Sequence, residues 1–200
     1  MSSMLIQEIA ATAARLVVED GMEYGSAKRR AARMLGGAGA RSNELPGNDK
    51  VEDEVRAYLS VFCADTQPTE LAALRRVALT WMEHLAGFRP YVTGAVWRGT
   101  ATRLNDVHLE LFCDDPKSAE FALIDRHINY EAGSRPGPRG AEAVAVLSLS
   151  QFSPELGEHV GVHLSVLDHD DLRGALKLDA AGQSWRGDAP ALRQLLELAA

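Results

Sequence analysis

Residues Val107 to Cys113 read Val-His-Leu-Glu-Leu-Phe-Cys, and the apolar side chains Val107, Leu109 and Leu111 alternate with His108 and Glu110. A period of two describes a strand with one face buried and the other exposed or lining a site. Asp106 precedes this run, so Asp106, His108 and Glu110 fall on one face at steps of about 7 Å. Three side chains able to bind a metal or move a proton, in a row, make the one cluster that reads as a chemical site, with Asp106 as the candidate catalytic group. Upstream, Tyr91 to Trp97 is rich in aromatic and β-branched residues and predicts a second strand. A turn containing Gly99, Thr100 and Asn105 joins the two.

The same stretch resembles the minimal nucleotidyltransferases of the polymerase-beta-like superfamily, which carry Gly-Ser, a further Gly, a short turn, and Asp-x-Asp on the next strand. Here Gly94-Ala95 stands where Gly-Ser would be, Arg98-Gly99-Thr100-Ala101 follows, and Asn105-Asp106-Val107-His108-Leu109 replaces Ser-Asp-x-Asp-Leu without a gap. Together with a helical N-terminus, the combination is similar to a proteobacterial group labelled nucleotidyltransferase. The resemblance implies a small mixed sheet of nucleotidyltransferase type and a nucleotide site at Gly94, Ala95, Arg98 and Gly99. In active members, carboxylates on neighbouring strands hold two Mg²⁺ ions that bridge the triphosphate and activate the attacking hydroxyl.

Two departures fall on that chemistry. Ala95 lacks the hydroxyl that would help hold the triphosphate, and His108 replaces the second metal-binding carboxylate. Mg²⁺ takes hard oxygen ligands in near-octahedral geometry, whereas imidazole suits Zn²⁺, Mn²⁺ or Fe²⁺. The third carboxylate of the family would come from a later strand, where Val162-His163-Leu164-Ser165 offers His163, with Asp168 and Asp170 just past the strand end. The expected metal set is therefore Asp106, His108, Glu110 and His163, weak for Mg²⁺ and suited to Zn²⁺ or Mn²⁺ if His108 is a ligand. The leading expectation is a nucleotidyltransferase-fold protein with a degenerate metal site that binds a nucleotide or a protein partner instead of catalysing transfer. The alternatives are an active nucleotidyltransferase with altered metal chemistry, and a plain interaction protein that docks or dimerises through its N-terminal helices.

The surrounding chain predicts an α+β fold: a helical region over 1–87, packed on a small mixed sheet of four or five strands within 88–200. Leu5, Ile9, Thr12, Leu16 and Val17 recur at helical spacing up to Gly21. Ser26 is a plausible N-cap for a helix from Ala27 to Leu35 that carries Lys28, Arg29, Arg30 and Arg33, read as a solvated face. Residues 36–48 form a loop rich in Gly, Ser, Asn and Pro. Asp49 then caps a helix to about Ala64, and a further helix from Thr69 to Gly87 has Trp81 and Met82 on its core side. A helix from Lys117 to His127 should turn Phe121, Leu123 and Ile124 inward, followed by a short strand at 128–132 and a loop at 133–141. Val144–Ser150 and Val160–Leu167 are joined too closely for a helical crossover and should pair antiparallel. Pro190 to Leu198 closes the chain as a helix.

No apolar run approaches the ~20 residues of a membrane helix, and no leader pattern opens the chain, so a cytoplasmic protein without a membrane partner is expected. A net charge of −7 argues against broad nucleic-acid binding. Cys63 and Cys113 each follow a Phe in an apolar run and read as buried free thiols. No phosphate-loop motif, dinucleotide fingerprint or nucleophile-elbow motif occurs.

Overall fold

The computed structural model describes residues 3–36, 44–137, 143–176, 178, 182 and 184–199. They divide into two compact units at the Pro68/Thr69 boundary. The first unit holds α1 (Ser3–Asp20), α2 (Tyr24–Met34) and α3 (Asn48–Phe62). Its core is built from Ile9, Ala13, Ala14 and Val17 of α1, Ala27 and Ala31 of α2, and Val51, Val55 and Leu59 of α3. The alanines let the helices approach closely where bulkier side chains would hold them apart. Helix α2 starts at Tyr24, with Glu23 and not Ser26 at its N-cap. Ser26 lies inside the helix and accepts from Arg29. Of its basic residues, Lys28 donates to the Pro46 carbonyl and to Asn48, and Arg30 pairs with Asp20 at 3.2 Å. The greater part of the loop expected at 36–48 lies outside the described residues.

The second unit begins within the first turn of α4 (Gln67–His84), whose buried side chains Leu71, Leu74, Val77, Ala78, Trp81 and Met82 belong to the core of the sheet. The helix expected to close a region 1–87 thus belongs with the sheet, because its apolar stripe is buried there. Along the chain come β1 (Tyr91–Thr93), α5 (Gly94–Arg98), β2 (Val107–Cys113), α6 (Pro116–Ile124), β3 (Glu131–Arg135), β4 (Val144–Ser153) and β5 (Glu158–Asp168). They are followed by the short α7 (Leu172–Ala175), by β6 (Arg186–Gly187) and by α8 (Ala189–Glu197). Among the described residues the strands form one six-stranded mixed sheet in the order β3-β4-β5-β2-β1-β6. Its only parallel pair is β2 with β5; the rest are antiparallel. The class is α+β, as the sequence predicts.

Alternation decides which face is buried. Val92, Val107, Leu109, Leu111, Leu147, Leu149, Val162, Leu164 and Val166 share one cluster with α4, with Ala119 and Leu123 of α6, and with Leu192 of α8. The opposite face carries Thr93, His108, Glu110, His163, Ser165 and Ser148 at matching register positions. The hairpin β4–β5 forms as expected and is closed by Gly157 N–H donating to the Ser153 carbonyl at 2.9 Å.

Three further expectations are corrected. The strand expected over Tyr91–Trp97 stops at Thr93; Gly94, at φ +67°, turns the chain into α5. Val96 is then buried, and the carbonyls of Val96 and Trp97 accept from Arg75 of α4, so tertiary contacts override the strand propensity of the run. Helix α6 turns Ala119 and Leu123 inward, whereas Phe121 and Ile124 are about half exposed. Strand β3 occupies Glu131–Arg135 in place of 128–132, using residues that composition assigns to a loop, because the edge of β4 offers them five successive pairs. Neither cysteine is in a disulfide, and both are partly buried. No described helix is long and apolar enough to cross a membrane.

Leu109 is fully buried and His108, its neighbour, is exposed. Leu109→Ala should cost about 2–5 kcal/mol through the cavity it leaves. His108→Ala should shift stability by about 0.5 kcal/mol or less, as surface changes do. Trp81, Trp97 and Trp185 all lie in the second unit, so urea unfolding followed by tryptophan fluorescence reads this unit. Equal costs for the two variants would contradict the assigned faces.

Candidate functional site

The parallel register of β2 and β5 sets His108 beside His163 and Glu110 beside Ser165. Asp106 lies just ahead of β2, opposite the residue preceding Val162, which is Gly161. One carboxylate oxygen of Asp106, Oδ1, accepts from the Gly161 amide at 3.2 Å, and Oδ2 lies 3.1 Å from His163 Nε2. The other ring nitrogen, Nδ1 of His163, lies 2.9 Å from Ser148 Oγ on β4. The imidazole of His108 stacks on that of His163, with centroids 5.0 Å apart and planes 23° from parallel. The later strand from which the resemblance would draw its third ligand is thus β5, the parallel neighbour of β2. Ser148 was not among its candidates, although Ser148 and Ser150 alternate with Leu147 and Leu149 on β4 as His108 and Glu110 alternate on β2.

Glu110 lies two residues further along and serves a different set of partners. Its side chain is only 13% exposed and pairs with Arg186 at 2.8 Å and Arg135 at 3.5 Å. Arg135 also donates to Ser165 Oγ at 3.1 Å. A carboxylate this shielded from water requires such partners, since a buried charge without them is costly. Neither arginine carries a sequence signal: Arg135 sits in a Gly/Pro-rich stretch, and Arg186 belongs to a two-residue strand.

The residues expected to contact a nucleotide cluster at α5. Gly94 is the hinge between β1 and α5, Ala95 packs against the core, and Gly99 ends the helix in the left-handed conformation. Arg98 closes the last turn, its guanidinium 4.5 Å from the centre of the exposed Trp185 ring, a cation–π distance. Trp97 donates its indole N–H to the Ser184 carbonyl at 2.8 Å. Arg75 lies beneath α5; burial lowers its pKa from the usual guanidinium range, and it remains a cation held by two carbonyls.

Asp106, His108, Glu110 and His163 therefore share a face but do not converge on one point. Among the described residues, no three His, Cys, Asp or Glu side chains are grouped so as to hold a metal ion. Both carboxylate oxygens of Asp106 and both ring nitrogens of His163 already have partners in the protein, and Glu110 is held by two guanidinium groups. What the arrangement offers is a hydrogen-bonded line across three strands and, beside it, a charged triplet.

Comparison of the chain with protein-family models, with curated proteins and with solved structures returns no match.

The absence of a side chain at residue 161 is a condition of this geometry. A Cβ there would stand 2.5 Å from Asp106 Oδ1 and 2.7 Å from its Cγ. Gly161→Ala should displace the carboxylate and cost about 1–2 kcal/mol, the scale of one charge-assisted hydrogen bond. Asp106→Ala should cost a similar amount. Adding Gly161→Ala to Asp106→Ala should cost nothing more, because the clash is gone. A double-mutant cycle in urea measures this coupling, and additive losses would contradict the contact.

Proposed function

We propose that this chain is a nucleotidyltransferase-like protein that has kept the sheet without the two-carboxylate metal centre, and that it acts by binding a nucleotide instead of transferring one. The observation that carries this reading is the state of the two carboxylates on the β2 face. Asp106 is engaged by the Gly161 amide and His163, and Glu110 by Arg135 and Arg186. Between them, where the family resemblance places the second metal-binding carboxylate, stands His108. A hard divalent cation would have to break these pairs to gain its oxygen ligands, and His108 contributes no negative charge to compensate.

The order of elements supports the resemblance. A strand, a glycine at positive φ, a short helix, a turn and a strand headed by Asp106 follow one another, with β1 and β2 paired antiparallel. On the proposed reading the nucleotide lies against α5, where Arg98 offers positive charge and Trp185 an exposed ring. Stacking of a base on an aromatic ring is worth about 1–3 kcal/mol, and a cation–π contact at an exposed site about 0.5–1 kcal/mol.

A second reading, a protein partner bound through the N-terminal helices, is favoured by a specific feature of the first unit. Val61 and Phe62 at the end of α3 are each 69% exposed. The Phe62 ring packs on Tyr58 of the same helix, tilted by 37° with 4.5 Å between ring centres, and stays largely in water. Adjacent large apolar residues in water are a recurrent mark of interaction surfaces.

Calorimetry with ATP, with and without Mg²⁺, tests the first reading. The expected result is nucleotide binding that Mg²⁺ does not strengthen. His108→Asp restores a second carboxylate on the face of Asp106, about 7 Å away by Cα, and should gain Mg²⁺ affinity by tenfold or more, about 1.4 kcal/mol. Tight Mg²⁺-dependent ATP binding by the unaltered protein would move the active-enzyme reading to first place. Selective submicromolar Zn²⁺ or Mn²⁺ binding that His108→Asp abolishes would establish altered metal chemistry in its stead.

A further inference from the structure

Ser148, His163 and Asp106 form a line of hydrogen bonds that the nucleotide reading does not use. Their distances are 2.9 Å from Ser148 Oγ to His163 Nδ1 and 3.1 Å from His163 Nε2 to Asp106 Oδ2. A carboxylate only accepts, so the proton of the neutral imidazole resides on Nε2, and Nδ1 is left to accept from the serine hydroxyl. The Gly161 amide fixes the other carboxylate oxygen at 3.2 Å, and ring stacking by His108 restricts the tilt of the imidazole. This is the division of roles in a Ser-His-Asp relay, nucleophile, base and orienting carboxylate, with the two ring nitrogens exchanged. The exchange does not impair the chemistry, since either nitrogen serves as the base once the other is held protonated.

The geometry points to an active site apart from the nucleotide-binding one: Ser148 is a nucleophile for acyl transfer from small activated esters, with His163 as its base and Asp106 as the positioning residue. Ser148 lines a concavity of about 380 Å³ together with Asn129, Tyr130, Glu131, Leu149 and Ser150. This open depression has room for a small acyl group without enclosing it, and Glu131 on its wall disfavours anionic substrates. The face is open to water, with Asp106 about half exposed. Water, and not a closed cradle of amides, therefore solvates the oxygen of the acyl group, which restricts the substrate to esters with a good leaving group.

Ser148 Oγ adds to the ester carbonyl carbon while its proton passes to His163 Nδ1. Collapse of the tetrahedral species breaks the bond to the leaving oxygen, which takes that proton and departs as the alcohol. Water then adds to the acyl-serine, giving a proton to Nδ1, and the proton returns to Ser148 Oγ as the carboxylic acid leaves. Asp106 stays ionised and accepts from Nε2 throughout.

The fold supplies an internal comparator. Ser150 Oγ lies 3.0 Å from His159 Nδ1 on the same two strands, yet among the described residues no carboxylate is bonded to His159. Reactivity due to the relay should appear at Ser148 and not at Ser150; reactivity due to any serine beside a histidine should appear at both.

A fluorophosphonate probe on the full chain, read by peptide mass spectrometry, tests this directly. The expected adduct is on Ser148, at least tenfold above that on Ser150. It should be lost in Ser148→Ala and reduced tenfold or more in both His163→Ala and Asp106→Asn. Asp106→Asn preserves the shape of the side chain, and circular dichroism with a thermal melt establishes that each variant is folded. With p-nitrophenyl acetate, the acetyl group should be trapped on Ser148. Absence of a Ser148 adduct, equal adducts on Ser148 and Ser150, labelling untouched in folded Asp106→Asn, or acetyl found on His163 in place of Ser148 would each overturn the assignment. None of these outcomes depends on whether the chain binds ATP.

Discussion

Strand β2 buries Val107, Leu109 and Leu111 completely, and the positions of the polar groups follow from that burial. A slip of one residue would turn these three to the solvent and put His108 and Glu110 into an apolar core. Each apolar side chain is worth about 1.5–3 kcal/mol when buried, and Glu110 as an unpaired charge would cost several more. The register is therefore held by a penalty far larger than any single hydrogen bond on the open face. Because β5 lies parallel and in register with β2, the same burial carries His163 beside His108. Asp106 then reaches Gly161 and His163 across the strand boundary.

The open face shows how a cluster of polar residues can be satisfied internally while remaining beside water. Glu110 forms its pairs with arginines from two sequence-distant strands, β3 and β6. Asp106 binds an amide and an imidazole. A ligand entering here competes with contacts already made, so its affinity is the difference between new pairs and old ones. That competition separates this face from a preorganised cation site, in which carboxylates are held apart and left to converge on the ion. It also favours chemistry that uses the existing hydrogen bonds in place.

The two units rest on different kinds of core. The sheet unit has large side chains from α4, β2, β4 and β5 in a single cluster. The first unit relies on many alanines among Ile9, Leu16, Val17, Val51, Val55 and Leu59. Small units bury a smaller fraction of their surface, and an alanine-rich core yields less hydrophobic stabilisation per residue. The first unit also carries polar ties, mostly at its surface, where each contributes about 0–1 kcal/mol. Among these are Arg30 to Asp20, Lys28 to the chain at Pro46 and Asn48, and Tyr58 to Glu19.

By itself the sequence determined every element whose own period or turn chemistry is unambiguous. The alternation in β2, the close link between β4 and β5, and the apolar stripe of α4 with Trp81 and Met82 inward were all legible. So was the shared face of Asp106, His108 and Glu110. Tertiary structure alone decided the rest. Tyr91–Trp97 is strand-prone except at Gly94 and Ala95, yet becomes helical after Thr93, where Gly94 turns the chain, Arg75 takes the carbonyls at Val96 and Trp97, and the core takes Val96. Glu131–Arg135 has almost no strand propensity, yet becomes a strand because β4 templates it. The partners of Glu110, 25 and 76 positions away, and the contact of Ser148 with His163 depend on which strands lie side by side. Local propensity is a property of neighbours in the chain, whereas strand order is set by how the whole sheet buries its apolar face, and no single segment encodes that.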